Sequence, residues 1–224
     1  MLSERMMCEG FIPDKLTFIS LFDACAKQIA LVKGMQLHSH VCSLQYNHDN
    51  VIGTALVIMY GKWQRLEEAC RGFNTIHLPD LASWNALLSS VCQHGKETSA
   101  FRIYTQILQE GIMPDEVGFV NLLTVCAIKG SLRNGKLVHA QMIYSELTDG
   151  YSSIIGNALV NMYGKCGSLE DSKILFTCIS EGNESLWTSM ITVHGQQGEY
   201  DQMLKLFDEM EKKGLKPTAM TYLS

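Results

Sequence analysis

Cysteine and histidine are the side chains here with the widest chemical scope, but their spacing gives no metal-binding pattern. Of the eight cysteines, no two stand closer than twelve residues, and the close Cys-x-x-Cys pairs of structural zinc sites are absent. His38 and His139 recur at matching places, but no cysteine or carboxylate recurs beside both of them. The sequence therefore predicts neither a metal site nor a cofactor. It predicts mostly buried thiols in a reducing compartment.

Signatures of common enzymes are missing as well. The sequence has no Gly-x-Ser-x-Gly, no His-Glu-x-x-His, no Walker loop and no zinc-deaminase signature. The glycine-rich run 164–168 lacks the spacing of a phosphate loop and predicts a turn between helices. We therefore expect no catalytic residues and no small-molecule substrate in this chain.

The composition is that of a chain that folds around a core. Its 224 residues are 46% hydrophobic and 18% charged, with a net charge of −5. The negative net charge argues against a protein that binds duplex DNA over a large surface. It does not exclude a local basic groove. The apolar runs, such as 51–60, are too short to cross a bilayer, so no membrane partner is predicted.

Internal repetition is the strongest feature of the sequence. The segment 53–62 recurs with small changes as 156–165, and Trp84 recurs as Trp187. Both offsets are 103 residues. Gly followed three residues later by Pro recurs at 10–13, 111–114 and 214–217. Each block of about 102 residues divides into three units. The predicted units are 15–49, 50–80, 81–115, 116–152, 153–183 and 184–218, with 1–14 ending an earlier unit and 219–224 beginning a later one.

Each of these repeat units is predicted to contain two helices. In 199–213 the residues Met203, Leu206, Phe207 and Met210 share one helical face. The last residues of the units are of types that cap helix N-termini. Small residues recur at the twentieth position, where they would let helices approach closely: Gly34, Ala69, Ala100, Gly135 and Ser172.

Units of 31 to 37 residues cannot bury their apolar faces alone, so neighbours must stack. The expected fold is all-α, a right-handed superhelical solenoid of helix–turn–helix repeats with a concave face lined by one helix from each unit. A chain that starts and stops within repeats is expected to be a fragment of a longer protein, with any targeting peptide upstream.

These residues resemble a known family. The segments 81–88 (LASWNALL) and 111–115 (GIMPD), with Gly95 between them, resemble the pentatricopeptide repeat. The segment 157–167 resembles its short variant, and 31–38 and 132–139 resemble its long variant. The order long, short, standard, given twice, is similar to the plant organellar subclass of the family.

The resemblance implies sequence-specific binding of single-stranded RNA, one base per repeat. It further implies a role of the whole protein in organellar RNA modification, such as C-to-U editing, in a mitochondrion or chloroplast, with editing or processing factors as further partners.

In this family the fifth and last residues of a repeat select the base. The resemblance implies a guanine reader in Thr54 with Asp80, a uracil reader in Asn85 with Asp115 and a cytosine reader in Asn157 with Asn183. Thr188 with Thr218 departs from the usual pairs and leaves its base open. In the long repeats the fifth residues are Ile19 and Val120, which predict weak selectivity. The implied RNA is 5′-N-G-U-N-C-N-3′.

Two further positions carry implied roles. The second residue of each repeat resembles the position that clamps a base: Leu16, Val51, Ala82, Val117, Ile154 and Ser185. The thirteenth resembles one that faces a phosphate, and three repeats place a lysine there: Lys27, Lys62 and Lys165.

Alternative interpretations remain at this point. The terminal Asp residues can alternatively be helix caps alone, although capping and base reading can coexist, and the lysines can be solvated side chains near helix ends. One rival function is a protein-binding scaffold of the tetratricopeptide type, although that type keeps a constant 34-residue period. Another is the targeting part of an RNA-processing enzyme whose catalytic domain lies outside this chain.

Overall fold

The computed structural model describes residues 13–145, 152–179, 184–217 and residue 221. Within them lie twelve α-helices, one short 3₁₀ helix at Tyr46–His48 and no β-strand. None of these helices is long and apolar enough to cross a bilayer. The helices are α1 (Lys15–Gln28), α2 (Leu31–Ser43), α3 (Asn50–Lys62), α4 (Leu66–Thr75), α5 (Leu81–Gln93), α6 (Glu97–Gln109), α7 (Glu116–Lys129), α8 (Leu132–Tyr144), α9 (Ser153–Lys165), α10 (Leu169–Ile179), α11 (Glu184–Gln196) and α12 (Tyr200–Lys212).

Side-chain caps start the odd-numbered helices. An Asp or Ser oxygen immediately before the helix accepts a backbone N–H of the first turn, which otherwise lacks a partner. This confirms the predicted capping at Asp14, Asp49, Asp80, Asp115 and Ser152. The other two predicted caps, Asn183 and Thr218, lie outside the described residues.

A left-handed residue ends each odd-numbered helix and turns the chain into the next helix. It falls at the fifteenth position of every predicted unit: Ile29, Gln64, Gly95, Gly130, Gly167 and Gly198. Glycine adopts this backbone conformation without steric cost, whereas a β-branched residue does not. Ile29 therefore stands out as a strained position.

The helices form two compact units, each with its own core. In the first, residues 1–94 and 102–113, helices α1, α3 and α5 lie side by side, and Phe18, Leu56 and Leu88 are fully buried. In the second, residues 95–101 and 114–224, helices α7, α9 and α11 lie side by side over a core that includes Leu122 and Leu159. Helices α2 and α4 pack against the first row, and helices α8, α10 and α12 pack against the second.

Small and aromatic residues set the packing between successive helix pairs. A Cβ on Gly34 would lie 2.1 Å from the Trp63 ring, and one on Gly135 would lie 2.3 Å from the sulfur of Met162. Each glycine thus allows an even-numbered helix to approach the next odd-numbered helix. The recurring tryptophans are buried against phenylalanines of the preceding helix pair, Trp84 on Phe73 and Trp187 on Phe176.

The expectation of mostly buried thiols is wrong for the described cysteines. Of the seven described cysteines, only Cys25, Cys92 and Cys126 are buried; Cys70 and Cys166 are half-buried, and Cys42 and Cys178 are exposed. The physical reason is that the even-numbered helices bury only one narrow stripe. In α2 that stripe is Gly34, Leu37 and Val41, and Cys42 is one residue beyond it.

Candidate nucleic-acid interface

The second residue of each repeat is exposed at the start of an odd-numbered helix. Four of these residues are large and aliphatic, with exposed fractions of 73% for Leu16, 59% for Val51, 53% for Val117 and 59% for Ile154. Ala82 and Ser185, at the same position, are also exposed. Exposed apolar side chains at one recurring place offer contact to a flat, partly apolar ligand.

In the first unit the structure brings Thr54 and Asp80 together through Ser83. The Ser83 hydroxyl is fully buried and lies 2.7 Å from Thr54 Oγ1, 2.9 Å from Asp80 Oδ1 and 2.6 Å from Asn50 Oδ1. Thr54 Oγ1 also donates to the backbone carbonyl of Asn50 at 2.8 Å. Ser83 was not among the residues predicted from sequence, because nothing in its local sequence marks it as a bridge.

Hydrogen bonds keep Asp80 ionised. Burial by itself would raise the pKa of this carboxyl, but the backbone N–H and hydroxyl of Ser83 and the side chain of Asn50 stabilise the charged form. The net result is a pKa below the ordinary value of 3.8. At neutral pH Asp80 can therefore accept hydrogen bonds but cannot donate them.

In the second unit Asn157 and Thr188 occupy the same place on α9 and α11. Asn157 Nδ2 donates to Ser185 Oγ at 2.6 Å, while its Oδ1 is buried with no hydrogen-bond partner among the described residues. Thr188 Oγ1 lies 2.9 Å from Thr221 Oγ1. As with Thr54 and Ser83, the fifth residue of one repeat contacts a residue near the start of the next.

An open groove of about 430 Å³ crosses α7, α9 and α11 of the second unit. Its wall joins the predicted base-reading and base-clamping positions to other polar side chains. The lining residues are Val120, Thr124, Ile154, Asn157, Ala158, Asn161, Ser185, Thr188, Ser189 and Thr192. The groove can therefore offer apolar contact and hydrogen bonding to the same ligand.

The two residues of the predicted uracil reader, Asn85 and Asp115, belong to different compact units. Asn85 is half-buried on α5 in the first unit. Asp115 begins the second unit's row of helices and accepts the backbone N–H of Gly118 at 3.0 Å.

The three predicted phosphate-facing lysines differ in their surroundings. Lys27 is paired with Asp23 at 2.7 Å. The hydrogen bond from Lys27 lowers the pKa of Asp23, and the charge of Lys62 acts in the same direction. Lys62 and Lys165 are exposed at the ends of α3 and α9, without an ion pair to any residue that the structure describes. Two of the three cations are thus available to an anionic ligand.

Comparison with known proteins places this chain in a family. Residues 77–142 match the pentatricopeptide repeat domain and residues 182–224 match the PPR repeat family. A pentatricopeptide repeat-containing protein of Arabidopsis thaliana is 33% identical over 223 residues, which are 100% of this chain and 30% of the relative. Another from the same plant, whose name includes "mitochondrial", is 27% identical over 222 residues, 98% of this chain and 29% of the relative. The chain thus spans about a third of the length of these relatives.

Solved structures show the same fold. A cysteine-to-serine variant of the pentatricopeptide repeat protein PPR10, in complex with an 18-nt psaJ RNA element, matches with a TM-score of 0.80 and 20% identity, over 98% of this chain and 33% of that chain. PPR10 from maize matches with a TM-score of 0.68 and 18% identity, over 99% of this chain and 37% of PPR10. The chain belongs to the pentatricopeptide repeat family. Its fold is the all-α helical-repeat fold that the sequence predicted.

Two histidines of this pentatricopeptide repeat chain have a structural role that sequence reasoning missed. His38 Nδ1 lies 2.8 Å from the hydroxyl of Tyr60, and His139 Nδ1 lies 2.9 Å from that of Tyr163. Burial lowers the pKa of both histidines. A signal was present in the sequence, because each tyrosine recurs in the repeat after its histidine.

The long repeats tie their first and last residues together. Lys15 forms a salt bridge with Asp49, and Ser152 donates to Glu116. In these repeats the terminal polar side chain is therefore engaged within the protein. The weak selectivity expected from the aliphatic fifth residues Ile19 and Val120 stays a prediction.

Proposed function

We propose that this chain binds single-stranded RNA by sequence, through the N-terminal halves of its odd-numbered helices. The groove across α7, α9 and α11 is the observation that carries the proposal. There Ile154 and Ser185 flank Asn157 and Thr188, so one surface combines apolar and hydrogen-bonding groups. Only an unpaired base presents both its face and its edge to such a surface. PPR10, which shares the fold, has been solved in complex with an RNA element.

The donor and acceptor pattern of the first unit fits guanine. The Thr54 hydroxyl can donate its one proton to the Asn50 carbonyl or to Ser83 Oγ, and Asp80 is ionised, so the pair presents lone pairs to a ligand. Guanine has two adjacent donors on its Watson–Crick edge, N1–H and the N2 amino group. Guanine is also the base that the family resemblance implies for this repeat.

Asn157 fits a base that donates a proton. Its buried Oδ1 lacks a partner among the described residues, and an unsatisfied buried acceptor costs about 1–3 kcal/mol. A ligand amino group that reaches this oxygen removes that cost. The N4 amino group of cytosine is such a donor, and Asn183 would be its second reader.

The remaining parts of the surface supply affinity without sequence selection. The exposed aliphatic residues Leu16, Val51, Val117 and Ile154 offer contact to base faces. Lys62 and Lys165 offer charge to phosphates, so affinity should fall as salt rises.

For the whole protein we propose site-specific RNA modification, such as C-to-U editing, in a mitochondrion or chloroplast. The support is the family resemblance and one similar plant protein whose name includes "mitochondrial". On this proposal the repeats position an editing or processing factor and do not themselves catalyse the reaction.

A gel-shift titration tests the RNA-binding proposal. The probe is a short RNA carrying 5′-AGUACA-3′, compared with RNAs changed singly at the G, U or C. Each change should weaken binding by about 1–3 kcal/mol, or roughly 5- to 150-fold. Binding that is equal for all probes would refute base reading.

Substitution of Asn85 by Thr sharpens this test. It should shift the preference of that repeat from U towards G and leave the other positions unchanged. The matched control is Asn74→Thr, an exposed position on α4. No base-reading residue is proposed on α4, so this variant should leave every preference as it is. An unchanged U preference in Asn85→Thr would remove the base-reading claim for this repeat.

A further inference from the structure

A second row of polar side chains lines the groove of the second unit. It stands four residues after the base-reading row on each helix: Thr124 after Val120, Asn161 after Asn157 and Thr192 after Thr188. A four-residue step is one helical turn, about 6 Å along the axis, so both rows lie on the same faces. No base-reading, clamping or phosphate role has been assigned to this second row.

The side chains at the two ends of α9 suit different parts of a nucleotide. The exposed Ile154 and the amide of Asn157 lie at its start and suit a base. Lys165, exposed and without an ion pair to a described residue, lies at its end and suits a phosphate. In a nucleotide the ribose joins the base to the phosphate. Asn161 lies midway between Asn157 and Lys165, where the ribose must pass.

The chemistry of the second row matches the ribose 2′-hydroxyl. Thr124 and Thr192 donate their protons to the backbone carbonyls of Val120 and Thr188, at 2.7 and 2.8 Å, so towards a ligand each hydroxyl acts as an acceptor and not as a donor. The half-buried Asn161 side chain has no hydrogen bond to a described residue, and it can both donate and accept. The 2′-hydroxyl is likewise both donor and acceptor, and it is the group that DNA lacks.

We propose that Asn161 binds the ribose 2′-hydroxyl of the nucleotide that Asn157 reads, with Thr124 and Thr192 in weaker equivalent roles. This rests on the proposed RNA binding and adds a sugar-recognition site to it. The first unit supplies a natural contrast, because Ile58 occupies the equivalent place on α3, between Thr54 and Lys62, and is 40% exposed. An aliphatic side chain cannot bond to a hydroxyl, so the repeat 50–80 should tolerate deoxyribose.

The test is a titration of the 224-residue chain with RNAs that contain 2′-deoxyribose at a single nucleotide. The parent probe is 5′-AGUACA-3′ within a short RNA. In the wild-type chain deoxyribose at the cytosine should weaken binding about two- to twelvefold, the effect of one net hydrogen bond, whereas deoxyribose at the guanine should have no effect. The variant Asn161→Ala should bind the all-ribose and deoxycytidine probes equally, and Asn161→Ser should restore part of the difference.

The reciprocal variant Ile58→Asn should create a new penalty for deoxyribose at the guanine. Binding of the all-ribose probe and circular dichroism verify that each variant is folded. Equal deoxyribose penalties at the cytosine in wild type and Asn161→Ala, or no penalty in wild type, would overturn the 2′-hydroxyl site while leaving RNA binding intact. Failure of the wild-type chain to bind any probe would overturn both proposals.

Discussion

Substitution of Gly164 by alanine tests how closely the odd-numbered helices must approach. Gly164 lies near the end of α9, and a Cβ there would be 2.4 and 2.5 Å from the two methyl carbons of Val193 on α11. Val193 is buried, and its β-branched side chain has few alternative rotamers. The two helices must therefore separate, which would also displace Asn157 from its partner Ser185.

The magnitude follows from two opposing terms. Alanine in place of glycine favours a helix by about 0.5–1 kcal/mol. Overpacking of a filled core costs about 1–3 kcal/mol. Because the contact would be more than 0.5 Å closer than real Cβ contacts, the cost wins, and Gly164→Ala should lower the free energy of unfolding by about 1–2 kcal/mol. The melting temperature of a chain of this size should fall by about 2–8 °C.

The control is the same substitution where there is room. A Cβ on Gly72, in α4, would meet only the Cβ of Leu56 at 3.9 Å. Gly72→Ala should therefore raise the stability by about 0.5–1 kcal/mol. Urea denaturation followed by circular dichroism measures both changes.

A double variant identifies the clash itself. Val193→Ala removes the two methyl groups, so in Gly164→Ala/Val193→Ala the effects should be non-additive by about 1 kcal/mol or more. If the two effects add within about 0.5 kcal/mol, or if Gly164→Ala is as stable as Gly72→Ala, the reasoning from close helix approach is refuted.

Two further predictions concern the turn and the histidines. Ile29→Gly should raise stability by about 1 kcal/mol, because Ile29 has a φ of 51°, and Gly130→Ala at φ 64° should lower it by a similar amount; a loss in Ile29→Gly would contradict this. His38 and His139 have pKa values lowered by burial, so their contribution to stability is complete above their ordinary pKa of 6.5 and is lost as the pH falls below it. Replacing both by Gln should flatten the dependence of the urea midpoint on pH below about 6.5, and an unchanged slope would show that these histidines do not control it.

Much of the fold could be predicted from sequence because its determinants are local. The helix caps at Asp14, Asp49, Asp80, Asp115 and Ser152 act on N–H groups two or three residues away. Four of the six turns that follow odd-numbered helices contain a left-handed glycine, and the apolar stripes depend on a spacing within one helix. Because the sequence repeats at an offset of 103 residues, the same local signals occur in both blocks and predict the same helices.

The candidate site was predicted only in part. Residues at the same position of successive repeats occupy equivalent places, as the repeat boundaries predict. The exposed second residues are one example, and Asn157 and Thr188, which line the same groove, are another. The bridge formed by Ser83 and the pairing of His139 with Tyr163 were not anticipated. The Thr54–Ser83 and His139–Tyr163 contacts join residues 29 and 24 positions apart, which no local pattern specifies.

The sequence by itself determined the helices, their pairing and the family, because capping, turn formation and helical periodicity act over a few residues and are repeated along the chain. Tertiary structure alone decided which side chains share a hydrogen-bond network or a groove wall. Those relations depend on the distance and rotation between stacked helices, which residues such as Gly34 and Gly164 set through close packing. A polar residue becomes part of a binding surface only when that packing leaves it facing outward beside the right neighbours.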